Sequence, residues 1–136
     1  MTVERHPRHA LAHAEKSRLR HLVEEIERET GVEIAAVIVR HVPDIEAFAT
    51  AYFNHVGIGK RGHDNGILIA IAADRRLVRI EVGRGLEHVV TGEVAARIIA
   101  GVMVPQLRRE RYGEAMLRAV EALGHVVRGA PDRLPR

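Results

Sequence analysis

The side chains able to do chemistry in this chain gather between residues 60 and 87. Asp64, Asn65, Glu81 and Glu87 supply oxygen there, and Lys60, Arg61 and Arg84 supply positive charge. If Asp64, Glu81 and Glu87 converge, their like charges favour either a bound cation or compensation by Lys60, Arg61 and Arg84. A cation makes the cluster functional, whereas arginine pairing makes it structural. The loop over residues 57–66 combines four glycines with Lys60 and Arg61. Such a loop approaches a phosphate through backbone donors and cationic side chains, or serves as a plain connection that uses glycine to turn. It follows a helical pattern rather than a strand and lacks GxxxxGK[ST], so a nucleotide-binding P-loop is unsupported.

Two apolar runs position these residues. Residues 67–73 are nearly continuously apolar, as an inner strand covered on both faces is. Residues 73–76, Ala-Asp-Arg-Arg, supply a turn. The next run alternates: Leu77, Arg79 and Glu81 point one way, and Val78, Ile80 and Val82 the other. A hairpin follows, with the entrance of its first strand beside the exit of its second. Asp64 and Asn65 are thereby expected near Glu81, Arg84 and Glu87, at one rim cleft.

The rest of the chain reads as elements that cover this hairpin. Leu19, Leu22, Val23 and Ile26 share one helical face, and Thr30-Gly31 stops that helix. Residues 32–39, VEIAAVIV, form a second inner strand. Asp44 caps a helix whose apolar stripe is Ile45, Phe48, Ala49, Tyr52, Phe53 and Val56. Thr91 caps another, packed through Val94, Ile98, Ile99 and Val102, which Pro105 ends or bends. The last helix uses Tyr112, Met116, Ala119, Val120 and Leu123. Three strands are visible, and the glycine loop and the stretch around Leu86-Glu87 leave room for a fourth short one, so the sheet has three or four. The order predicts a small α/β sheet with helices on it, as one domain over residues 11–127 between a flexible segment, 1–10, and a flexible tail, 128–136.

Composition excludes several classes. With 136 residues, 46% hydrophobic and 29% charged, the chain suits one core and no second substantial domain. Zero cysteines exclude disulfides, thiol nucleophiles and cysteine metal sites. The net charge of +3 is too small an excess to demand nucleic acid. Arg108, Arg109 and Arg111 read as a solvated helix end, since no recognition helix or stacking aromatics accompany them. His6, His9 and His13 read as solvated histidines rather than metal ligands. The amino end lacks the apolar core of a secretory signal, and no segment is a membrane-length apolar span, so the chain is expected to be cytoplasmic, with an exported mature fragment as the alternative.

The runs FNHVGIG, HDNGILIAIA and VRIEVGRGLE, in that order, resemble the TPM domain family, named for thylakoid-lumen, photosystem II repair and acetylcholine-receptor-modulator proteins. Looser similarity extends to ERETGVEIAAV and VPQLRRERYGEAM, so the resemblance covers almost the whole chain. It implies an αβα sandwich with a three- or four-stranded mixed sheet, metal binding near the hairpin rim in some members, and the acid-phosphatase activity proposed for a thylakoid member. Asp64 and Asn65 match the family's pair before the glycine, Glu81 the acid in RIEVG, and Glu87 the end of GLE. Their oxygens suit calcium or magnesium, and no organic cofactor is implied. Arg84 stands where the family often has tyrosine, and Gly92 where it usually has aspartate. Loss of that acid weakens or abolishes a metal site.

Two functions follow from these residues and this resemblance. The first is a noncatalytic, divalent-metal-responsive or protein-binding module serving an envelope-associated complex. The second is a metal-assisted acid phosphatase, in which the ion orients water, Asp64 positions the nucleophile, and Lys60, Arg61 or Arg84 stabilises phosphoryl charge on a small phosphomonoester.

Overall fold

The computed structural model describes residues 11–59 and 64–135. β2 (Gly66–Ala72) carries no polar side chain and is buried along its whole length, as the central strand of a three-stranded sheet must be. β1 (Glu33–Val39) pairs with it in parallel and β3 (Leu77–Val82) antiparallel, in the order β1-β2-β3. A parallel pair needs a crossover, and α2 (Ile45–Val56) supplies it. A 3-10 turn over Ala73–Arg75, closed by Arg76 in the left-handed conformation, reverses the chain into β3.

The period-2 alternation sorts side chains into two cores. Ile34, Ile38, Ile67, Ile69, Ile71 and Ile80 face the larger one, built with α1 (His13–Thr30) and α5 (Tyr112–Arg128). Ala35, Val37, Leu68 and Ala70 face the smaller one under α2, where Ala49 is buried and Phe48, Tyr52 and Phe53 pack at its margin. Leu77 joins the α2 side, and Val78 and Val82 the other, as their alternation requires. α3 (Gly92–Ile98) and α4 (Val104–Leu107) complete the larger core through Ile98 and Leu107. The result is an αβα sandwich around a small mixed sheet.

Local chemistry sets the helix ends. The Asp44 carboxylate accepts from the N–H groups of Glu46 (3.0 Å) and Ala47 (3.1 Å), and Thr91 Oγ1 accepts from Val94 N–H (3.2 Å). Gly31 leaves α1 with φ 77°, a conformation that favours glycine. Pro105 neither ends nor breaks its helical run. The chain widens into a π-helical stretch over Ile99–Met103 and continues as α4 with Pro105 in its first turn. A proline ring collides with the carbonyl four residues earlier in a regular helix, and the wider turn relieves that crowding. After α5 the chain makes a 3-10 turn, Pro131–Arg133, where Arg133 and His88 exchange two hydrogen bonds of 2.6 Å. No helix among the described residues is long and apolar enough to cross a membrane.

Candidate functional site

The entrances of β1 and β2 and the exit of β3 meet at one rim. Asn65 holds the first two together. Its side-chain amide donates to the Gly31 carbonyl, and its own carbonyl accepts from Glu33 N–H at 3.0 Å. It is only 3% exposed, so this residue is part of the scaffold as well as of the rim.

Asp64, one position earlier, is exposed and has φ 51°, in the left-handed region that aspartate and asparagine tolerate better than most residues. Its carbonyl accepts from Gly85 N–H (3.1 Å), while the neighbouring Gly83 N–H donates to the Gly66 carbonyl (2.8 Å). The two backbones run so close that a Cβ on Gly83 would lie 2.3 Å from the Asp64 carbonyl oxygen. Glycine is therefore required at position 83 by contact, since its backbone angles, φ −64° and ψ 151°, suit any residue. Gly85 belongs to a 3-10 turn, Arg84–Leu86, so of the three or four strands open to the sheet none forms at Leu86, and Arg84 and Glu87 stand exposed at either end of the turn.

Glu81 takes a different direction. It stands opposite Leu68 on the α2 face, where its carboxylate accepts from Thr50 Oγ1 (2.9 Å) and lies 3.7 Å from the Arg79 guanidinium. Arg79 also approaches Glu46, at 4.0 Å, so α2 and β3 are tied by a short charged chain. The ion pairs of Arg79 are longer than hydrogen bonds, and its Nε is buried without a partner among the described residues.

Glu81 and Glu87 line a groove of about 540 Å³ that follows the free edge of β3 between the start of α2 and α3. Asp64 and Asn65 do not line it. The rim thus joins the Asp64 and Gly66 backbones to Gly85 and Gly83, while the Glu81 side chain is held by Thr50 and Arg79. Lys60, Arg61 and His63 lie outside the described residues. Among the described residues, no three acidic or histidine side chains form a cluster able to hold a metal ion. Gly92, at the position of the family's usual aspartate, borders the groove with open space around it.

Thr50 and Arg79 were not among the sequence-derived site residues. Arg79 had a visible signal, because it shares the face of Glu81 two residues away. Thr50 had none, since its contact spans 31 residues and depends on how α2 lies across the sheet.

The fold and rim define a small αβα domain with a β1-α2-β2 crossover and a following hairpin. A family model for the TPM domain matches residues 5–126, and the chain belongs to that family. Among solved structures it is similar to the N-terminal domain of a protein from P. gingivalis, at 27% identity and TM-score 0.83, covering 93% of this chain and 82% of that one. It is also similar to the BA42 protein of the psychrophilic bacterium Bizionia argentinensis, at 18% identity and TM-score 0.76 over 92% and 84% of the two chains. The N-terminal domain of a Corynebacterium glutamicum protein matches at 14% identity and TM-score 0.66, over 85% and 72%. The last two likenesses concern the fold alone. No curated protein matches the chain.

Proposed function

We propose that this TPM domain is a noncatalytic binding module whose rim takes a divalent cation, calcium or magnesium, and thereby orders a surface for a protein partner. The observation that carries this is the fixation of Asp64. Its backbone is locked against the 83–85 segment on the β3 side and joined to the β1 entrance through Asn65, while its carboxylate stays exposed. Glu87 is exposed just past the turn whose Gly85 N–H bonds the Asp64 carbonyl, so two exposed carboxylates flank that contact. That donor chemistry suits a hard cation, and one or two carboxylates with retained waters is the usual way magnesium is held. Glu81 contributes from the second row, by tying β3 to α2 through Thr50 and Arg79.

Calorimetric titration with calcium and with magnesium tests this, on the unmodified chain and on Asp64→Ala. Saturable binding that weakens at least about tenfold in Asp64→Ala, a difference of about 1.4 kcal/mol, is the expected result. Arg84 stands exposed at the same rim, so hydrolysis of a generic phosphomonoester is assayed on the same samples. Absence of saturable binding overturns the metal assignment. Metal-dependent turnover that Asp64→Ala abolishes overturns the noncatalytic one, and makes Asp64 part of a phosphatase.

A further inference from the structure

β3 is an edge strand, and its free side has a symmetry of its own. The Gly83 N–H to Gly66 carbonyl bond sets the phase of the β2–β3 ladder. Because antiparallel pairs alternate between bonded and non-bonded, residues 77, 79 and 81 direct their backbone groups to β2. Val78, Ile80 and Val82 therefore direct theirs outward, and among the described residues no hydrogen bond reaches them. The groove along this edge is bordered on the α3 side by the small residues Gly92, Ala95 and Ala96; at its floor Val78 and Val82 are half-buried and Ile80 is 4% exposed.

We propose that the β3 edge is a homodimer interface, in which two copies pair antiparallel about a two-fold axis through Ile80 and join their sheets into one. In that register Ile80 faces Ile80 of the second copy and Val78 faces Val82. These are the residues with outward N–H and C=O groups, so each such pair exchanges hydrogen bonds in both directions. The same register sets Arg79 opposite the second copy's Glu81, twice by symmetry, on the α2 side of the sheet. A shift of the axis to residue 79 would face arginine with arginine, and a shift to residue 81 glutamate with glutamate. Like charges directly opposite one another are unfavourable, so charge selects the Ile80 register from its neighbours. Charged side chains on an edge ordinarily discourage pairing. Here their order, Val-Arg-Ile-Glu-Val, is complementary to its own reverse. A second chain also brings a carboxylate to Arg79, whose ion pairs within the chain are only 3.7 and 4.0 Å. A two-fold contact of this kind closes on itself and leaves no β3 edge open. The inference does not depend on whether the rim takes a cation.

Sedimentation equilibrium of the full chain over a concentration series tests it, with amide NMR spectra confirming that each variant is folded. The unmodified chain is expected to form a concentration-dependent dimer. Arg79→Glu and Glu81→Arg, alone, each place like charges across both pairs and should weaken the dimer about tenfold or more. An equimolar mixture of those two variants places opposite charges across both pairs and should recover the dimer as a heterodimer. Val78→Pro removes an outward N–H without touching the β2 ladder and should also weaken association. A chain that stays monomeric up to about 1 mM overturns the proposal and leaves the edge to a strand of other sequence. So does a dimer indifferent to the reversals and to Val78→Pro, or one that mixing fails to restore.

Discussion

Replacing Gly83 with alanine should loosen the rim by a calculable route. The added carbon would lie 2.3 Å from the Asp64 carbonyl oxygen, 2.8 Å from its carbonyl carbon and 3.2 Å from the Gly66 carbonyl oxygen. Comfortable contact between such atoms begins about 1 Å further out, and both neighbours are backbone, so no rotamer change relieves the collision. The strands must part where Gly83 N–H meets Gly66 (2.8 Å) and Gly85 N–H meets Asp64 (3.1 Å). Two backbone hydrogen bonds at about 1 kcal/mol each give about 2 kcal/mol of cost. Alanine restricts the unfolded chain in a backbone conformation it accepts, which returns about 0.4–1 kcal/mol. The net expectation is a loss of about 1–2 kcal/mol, measured by urea denaturation at constant slope. Gly92→Ala is the control, because nothing lies within 4 Å of its added carbon, and it should be neutral or stabilising by up to about 1 kcal/mol. If Gly83→Ala were as stable as the parent, the close approach that fixes Asp64 would be refuted.

Asn65→Ala should cost about 0.5–1.5 kcal/mol by removing the hydrogen bond to the half-buried Gly31 carbonyl, and Asn65→Asp should cost at least as much near neutral pH, because it turns a carboxylate toward that carbonyl. Equal stability in urea for Asn65→Asp would deny Asn65 its scaffold role. Gly124→Ala sets a carbon 2.7 Å from Cδ1 of the fully buried Ile26, between α1 and α5. Its overpacking should outweigh the helix-propensity gain and lower stability by about 1–2 kcal/mol, read from the same denaturation curves. The hydrogen bond from Arg128 holds the Glu29 carboxyl below its ordinary value of 4.5. A depressed carboxyl stabilises the fold above that value and loses its contribution as pH falls through the folded value, so Arg128→Ala should flatten the acid limb of stability below pH 4.5. An unchanged limb in a pH series of denaturation curves would deny the pair that role.

The hairpin was legible because its two periods differ. A fully apolar run marks the buried β2, and the strict alternation from Leu77 to Val82 marks a strand with unlike faces, so even the side of each residue could be assigned. The caps at Asp44 and Thr91 were legible from residue type. Pro105 was not, because the π-helical stretch that carries the chain past it leaves no mark in the apolar spacing. The rim was legible to within a strand end. Sequence brings Asp64 and Glu81 to the same hairpin mouth, but the distinction between them arises from tertiary contacts: a carbonyl bond to Gly85 for one, and the α2 hydroxyl of Thr50 for the other.

The most direct measurement of the central claim is an amide NMR titration of the full chain with calcium and with magnesium. Saturable shifts centred on Asp64, Gly85 and Glu87, absent in Asp64→Ala and retained in Glu81→Gln, are the expected result. Shifts that leave those amides untouched, or no saturable change with either ion, would contradict a cation site at this rim.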